Sequence, residues 1–367
     1  MTLKVAIAGA GHIAEVHARA VQAQGGQIVA VIEKFAEPAG RFAQKFSIAN
    51  QYTTIEEALT NAKFDALIIG TPNFLHAPQA IAALNAKVPV LVEKPMALNA
   101  IEAEQVLEAS LRTNVVLMVG HCWRFDEETQ WLKKRTSKLG RIIRTKGYGI
   151  HTHWGPGGWF TQKALSGGGA IADIGIHAID TARFLLGDPQ PISVFARMGT
   201  YYQDSEVDDT GIIIVNWDNG TTSYIESGWR QPYSDGPQSS TQLYGTRGFG
   251  QLFPTRLLLP NLNPENNLVK LLPSRLRSKL KLRRSEVVEI ESGFKFPRQD
   301  HYPQSMYDRQ MAHFFECIQT NRTPNPGGAE GLVNMKIVDA AYQSATTGQV
   351  VQLHSLPSLT LPAMTTY

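Results

Sequence analysis

Cysteine is scarce: Cys122 and Cys317 are the only two in 367 residues, and no metal-type spacing links them. No disulfide framework can be built from such a pair, no metal site is suggested, and a reducing compartment fits best. No apolar run approaches the roughly 20 residues that span a bilayer, so no integral membrane segment is expected. Residues 1–11 lack the charged stretch, long apolar run and cleavage site of a secretory leader, and the protein is expected to be cytoplasmic. Charge of one sign is also in short supply. The net charge of +3 is small for this length, so no global field argues for a nucleic-acid partner.

What is present is an ordinary globular composition, 43% apolar and 18% charged, too apolar for a disordered chain. Chains of this length usually divide into two cores. Residues 1–122 alternate short apolar runs (4–8, 28–32, 66–70, 90–92, 115–119) with helical patterns (13–24, 37–46, 55–60, 76–86, 100–113), the rhythm of βαβ units on a parallel sheet. Asn99 suits the N-cap of the last of these helices, with Glu102 in its first turn. From 123 to 367 β-type runs follow one another (142–151, 193–202, 210–217, 221–229, 240–244). Helices are expected near 170–186 and 304–321, and Asp218-Asn219-Gly220 marks a hairpin turn. The expected fold is α/β: an N-terminal Rossmann domain plus a C-terminal α+β domain with an open, mostly antiparallel sheet, whose terminal helices return to brace the N-terminal one.

The first strand runs into Gly9-Ala10-Gly11-His12-Ile13-Ala14 and then into a helical pattern. In such a Gly-x-Gly-x-x-Ala turn Gly9 permits the bend, Gly11 admits a pyrophosphate against the backbone, and Ala14 lets the helix pack on the strand. The helix N-terminus then faces the phosphates, with His12 and Ile13 beside them. Glu33 ends the second strand, where a carboxylate accepts hydrogen bonds from the adenosine ribose. A carboxylate there repels a 2′-phosphate and favours NAD over NADP. Lys34, a cation able to pair with that phosphate, keeps NADP open.

Two further segments carry chemistry. One is Thr71-Pro72-Asn73-Phe74-Leu75-His76 with the later Glu93-Lys94-Pro95; the other is Gly167-Gly168-Gly169-Ala170-Ile171-Ala172-Asp173-Ile174-Gly175-Ile176-His177-Ala178-Ile179-Asp180. Together they resemble the glucose–fructose oxidoreductase, inositol dehydrogenase and rhizopine-catabolism (Gfo/Idh/MocA) family. The likeness continues through Leu243-Tyr244-Gly245-Thr246-Arg247-Gly248 and Ala340-Ala341-Tyr342.

The resemblance implies an NAD(P)-dependent dehydrogenase or reductase acting on a secondary alcohol of a sugar, inositol or sugar derivative. It implies that His177 takes the hydroxyl proton, that Lys94 holds and polarises the same oxygen and touches the nicotinamide ribose, and that Asp173 orients the substrate or neighbouring groups. Thr71, Pro72, Asn73, His76 and Glu93 would lie by the cofactor, the Lys94–Pro95 bond would be cis, and the C-terminal sheet would make a homo-oligomer. Independently of the family, an alcohol loses hydride only if a positioned base takes its proton. Residues 173 and 177, four apart, fall on one helical face.

Arg124, in His121-Cys122-Trp123-Arg124-Phe125, resembles a family position near cofactor or substrate. Trp159 and Tyr244 are read either as substrate-contacting rings or as core. His151 and His153 lack a third metal ligand. Asp180 is read as structural as readily as catalytic. Residues 270–284 hold seven basic and no acidic side chains; a solvated insertion is the plain reading, with an anionic ligand, an acidic partner, a membrane surface or a subunit contact as alternatives. Two rival functions remain: an NAD-dependent glycosidase of the same fold, and a nucleotide-sensing protein without turnover.

Overall fold

The apolar runs of the first third assemble into a six-stranded sheet: β1 (Lys4–Ala8), β2 (Gln27–Ile32), β3 (Asn50–Tyr52), β4 (Ala66–Ile69), β5 (Val90–Val92) and β6 (Leu117–Val119). Their order is β3-β2-β1-β4-β5-β6, parallel throughout. The computed structural model describes residues 2–232, 239–260, 287–295 and 302–353. The basic stretch 270–284 lies outside the described residues.

Alternation along β1 sends Ala6 and Ala8 to one face and Val5 and Ile7 to the other, and helices cover both. That double burial is why the strands read as continuous apolar runs. Each fully buried Ile or Leu contributes about 1.5–3 kcal/mol relative to an exposed one. Asn99 caps the helix Ala100–Thr113 through the Glu102 amide at 2.9 Å. Strand order reverses between β1 and β4, and there the helices leaving β1 and β4 diverge and open a crevice beyond the strand ends.

The second sheet has nine strands among the described residues. In order they are β14 (Val287–Glu291), β13 (Arg256–Pro260), β12 (Gly248–Gln251), β11 (Ser239–Gly245), β7 (Ile142–Ile150), β10 (Thr222–Gly228), β9 (Thr210–Trp217), β8 (Pro191–Gly199) and β15 (Val351–Gln352). Only β7 and β10 pair in parallel. The expected hairpin joins β9 to β10, closed by Trp217 N donating to Thr221 O at 2.9 Å. Along β9, Ile213, Val215 and Trp217 point inward while Ile212, Ile214 and Asn216 point out.

The inner face packs on the helix Ile176–Leu186, and β8 packs on the helix Gly328–Thr347, which also lies on Ala100–Thr113. That long helix places Leu332 and Ile337 in one continuous core with Val92 and Val215. The helix Gln304–Thr320 packs instead on the glycine-turn helix His12–Ala23, where Gln304 Nε2 donates to Val16 O at 3.0 Å.

Candidate active site

A cleft of about 730 Å³ opens where the parallel strands end, lined by loops and helices that follow the strands of both sheets. Its first wall is the turn after β1. Gly9 has φ +96°, and a Cβ there would sit 2.6 Å from Gly70 O, so only glycine permits the bend. Gly11 precedes the helix His12–Ala23 with no side-chain cap, and a Cβ built on it meets nothing within 4 Å. The helix's first amides therefore face open space, as a pyrophosphate cradle requires. His12 and Ile13 line that space, while Ala14 is buried beneath it in contact with the sheet.

Glu33 stands at the rim, with Oε2 accepting from Ala10 N at 3.2 Å and Oε1 from Phe35 N at 3.0 Å. Each oxygen keeps a lone pair for a ribose hydroxyl. Lys34 is exposed, does not line the cleft, and lies over the Phe35 ring at 5.9 Å.

The second wall follows β4 and β5. Thr71, Pro72, Asn73, His76 and Glu93 all line the cleft, and their polar atoms knit the surrounding loops. Asn73 Nδ2 donates to Ser166 O at 2.8 Å, and the Thr71 hydroxyl to Gln79. The His76 ring lies between Pro95 O at 2.7 Å and Thr71 O at 2.8 Å; burial pushes its pKa down, and a neutral ring donates to only one of them. Burial alone would raise the Glu93 pKa, but His17, whose Nε2 lies 2.7 Å away, and Lys94 outweigh it and hold the carboxyl below its usual range. Sequence reasoning missed His17, which no motif marks.

Chemistry-bearing side chains meet on the cleft floor. The segment Ile171–Gly175 is a π-helical turn leading into the helix Ile176–Leu186, a distortion found often at functional sites. The Asp208 carboxylate starts this turn, accepting from Gly169 N and Ile171 N at 2.9 Å and from the Tyr342 hydroxyl at 2.6 Å. Lys94 lies two residues beyond β5 and is joined to Pro95 by a cis bond. Its ammonium donates to Asp173 Oδ1 at 2.7 Å and to Asp173 O at 2.9 Å. Trp229 Nε1 donates to the other carboxylate oxygen at 3.1 Å.

His177 lies one turn on, 4% exposed, with its ring stacked on Trp123 at 5.0 Å. Burial first, then the Lys94 charge, holds its pKa well below 6.5. The imidazole is neutral at physiological pH and free to accept a proton. Although the expected α-helical spacing is a π turn, Asp173 and His177 both line the cleft.

Two expected site residues are elsewhere. Arg124 is 1% exposed and absent from the cleft lining. Its guanidinium grips Asp180 through two bonds (2.8 and 2.7 Å), Asp188 at 2.9 Å and Asn325 at 2.6 Å. Asp180, itself 1% exposed, is part of that buried network. Tyr244 is on β11 facing away from the cleft, its hydroxyl on Gln242 at 2.7 Å and Arg144 over its ring at 4.1 Å; its neighbour Leu243 points inward.

Trp159 does line the cleft, stacked on Phe160 at 3.8 Å. His151 and Trp154 from the same loop join it, as do Cys122, from the segment that carries Arg124, and Tyr302 and Tyr307, which no local pattern marks. The two tyrosines arrive with a helix near the chain's end, far in sequence from everything they touch. Among the described residues no group of His, Cys, Asp or Glu is arranged to hold a metal, and no helix is long and apolar enough to cross a membrane.

A family model described as the oxidoreductase family with an NAD-binding Rossmann fold matches residues 3–121, and one described as the GFO/IDH/MocA C-terminal domain matches residues 135–249. The D-glucoside 3-dehydrogenase of Escherichia coli K12 is 26% identical over 96% of this chain and 97% of its own. The NAD(+)-type scyllo-inositol 2-dehydrogenase of Bacillus subtilis 168 is 25% identical over 96% of each. Among solved structures, levoglucosan dehydrogenase in complex with NADH and L-sorbose superposes with a TM-score of 0.83 at 22% identity, over 97% of this chain and 100% of that one. At that identity the likeness speaks to fold.

Proposed function

The chain belongs to the Gfo/Idh/MocA oxidoreductase family, and from that premise we propose that it transfers hydride between a nicotinamide cofactor and a secondary alcohol of a sugar, inositol or sugar derivative. One observation carries the reading. The Lys94 ammonium, the Asp173 carboxylate and the neutral His177 imidazole line the same cleft as the Gly9–Gly11 turn and Glu33.

The bound cofactor supplies the ring that accepts or returns the hydride; the protein supplies the rest. Lys94 holds the reacting oxygen and stabilises the charge that grows there as the O–H bond breaks. His177 takes that proton, and its suppressed pKa keeps it unprotonated for the task. Asp173, fixed by Trp229, holds Lys94 in place and accepts a neighbouring substrate hydroxyl. Glu33 binds the adenosine ribose and repels a 2′-phosphate, which favours NAD. Lys34, exposed outside the cleft lining, does not cancel that repulsion at short range.

Relatives named for glucosides and inositols support a neutral cyclic polyol as the substrate. Trp159 offers an aromatic face to its C–H surface. Two buried free thiols suit a reducing, cytoplasmic compartment. The outward side chains of the second sheet, Ile212, Ile214, Tyr224 and Tyr244, are half-buried rather than freely solvated; that apolar surface suits pairing with a second copy. Light scattering of the purified protein tests this, a monomer at micromolar concentration counting against it.

The decisive test of activity is a panel of hexoses, inositols and simple glycosides incubated with NAD⁺ or NADP⁺. Accumulation of reduced cofactor with one keto product per turnover supports the reading. Release of an aglycone with no net reduced cofactor would replace it with a glycosidase that oxidises only transiently.

A further inference from the structure

Trp154 lines the cleft, yet the residue is 57% exposed at the mouth. Single exposed aromatics are common on protein surfaces and need no purpose. This one is distinguished by how firmly it is held and by what holds it. His151 N donates to Gly228 O at 2.8 Å and Gln231 N to His151 O at 3.1 Å, which ties the start of the loop to the end of β10. Arg230 N donates to Trp154 O at 3.0 Å, while the Arg230 guanidinium reaches Gly155 O at 3.4 Å and Gln203 Oε1 at 3.1 Å. The indole itself stands edge-on to the His151 ring at 4.9 Å.

Residue 229 is the other half of the device. Trp229 is fully buried and donates to Asp173 at 3.1 Å. Consecutive residues 229 and 230 therefore fasten the reacting centre and the Trp154 backbone, and the spacing between them is set by one peptide unit rather than by a free loop. An aromatic face whose backbone is tied to the residue next to Trp229, and whose ring rests against His151, is pre-organised for a second ring of the same ligand.

Charge narrows the choice of that ring. Among the described residues lining the cleft, Lys94 is the only lysine or arginine, and Asp173 already holds it. At the mouth Arg230 is engaged by Gln203 and Gly155. This suits a neutral ring with an apolar face better than a nucleoside diphosphate.

The geometry points to a second-ring subsite: the substrate is a glycoside whose oxidised ring lies at Lys94 and His177 and whose aglycone, a second sugar or an aromatic ring, lies on the Trp154 indole. This rests on the dehydrogenase reading above and adds to it the size and polarity of the substrate.

The test compares a methyl glycoside, a phenyl glycoside and a disaccharide of whichever hexose is oxidised, with the corresponding UDP-hexose as a fourth arm. The wild type and the Trp154→Ala and Trp154→Phe proteins are assayed side by side. The wild type should show kcat/KM about tenfold higher for the two-ring compounds than for the methyl glycoside, the worth of a good aromatic contact. Trp154→Ala should erase that advantage, lowering kcat/KM about tenfold more for the two-ring compounds than for the methyl glycoside with the urea midpoint unchanged, and Trp154→Phe should retain most of it. The phenyl and disaccharide arms distinguish an aromatic from a sugar aglycone.

A uniform loss across all substrates in Trp154→Ala, or a preference for the UDP-hexose, would overturn the subsite and leave the dehydrogenase reading standing. Absence of cofactor reduction by every compound overturns that reading, and the subsite with it.

Discussion

Replacing Arg124 by alanine separates a buried scaffold from a binding site. The guanidinium has four partner bonds of 2.9 Å or less to Asp180, Asp188 and Asn325, and it lies 5.0 Å from the Phe184 ring centre. Asp180 is 1% exposed; burial alone would raise its pKa, but the Arg124 charge, then His121, drive it far below the usual carboxylate range. Removing Arg124 leaves that carboxylate with the Asn334 amide at 2.8 Å and His121 at 3.9 Å.

Breaking a buried pair in this way costs about 3–5 kcal/mol, a large part of the ~5–15 kcal/mol that holds a typical protein folded. With a denaturant slope of about 2–3 kcal/mol per molar, the urea midpoint should fall by roughly 1–2.5 M. Removing both charges, as Arg124→Met with Asp180→Leu, should recover much of the loss, because the fully buried carboxylate goes too and the partly exposed Asp188 keeps Arg183 at 3.5 Å. The assay is tryptophan fluorescence against urea, paired with titration of NAD into the folded protein. An unchanged midpoint with cofactor affinity down about tenfold would refute the reasoning and return Arg124 to the cleft.

Gly9→Ala should weaken NAD binding strongly, since the new methyl meets Gly70 O at 2.6 Å in a backbone conformation that resists a side chain; calorimetric titration checks it, and wild-type affinity would contradict it. The ascending limb of kcat/KM against pH should lie below 6.5, because burial and Lys94 lower the His177 pKa. His177→Ala should lose about 10²–10⁴ in rate and that limb together. Folding stability should decline as pH falls below 6.5. His76, His121 and His177 are all buried with lowered pKa, chiefly through desolvation, so there the unfolded chain binds more protons. Each contributes a slope of at most about 1.4 kcal/mol per pH unit; stability unchanged down to the carboxylate range would contradict this.

The parallel sheet was legible because burial on both faces leaves unbroken apolar runs, bounded by glycines and caps. Its edge strand β3 was not: Asn50-Gln51-Tyr52 is short, polar and partly exposed, as sheet edges tend to be. The helix Gly328–Thr347 shows little amphipathic rhythm because it is buried against elements of both sheets, with Gly331, Leu332, Val333, Asn334 and Met335 all covered.

In the cleft, residues inside motifs could be anticipated, since Gly9, Lys94, Asp173 and His177 each sit in a short segment with its own chemical logic. Residues defined by distant partners could not. A buried arginine and a substrate-binding arginine look alike in sequence when the partners, Asp180, Asp188 and Asn325, are 56 to 201 positions away. The same holds for Tyr307 on the helix Gln304–Thr320, for Tyr302 just before it, and for buried His17, which backs the cleft through its contact with Glu93.

The account depends most on Lys94 acting at the reacting oxygen rather than merely lining a nucleotide site. The direct measurement is Lys94→Ala, with NAD affinity from calorimetry and turnover from reduced-cofactor formation on the same preparation. The account predicts NAD affinity close to wild type and turnover reduced by roughly 10²-fold or more, as for the loss of an electrostatic catalyst. Turnover equal to that of the wild type would contradict it.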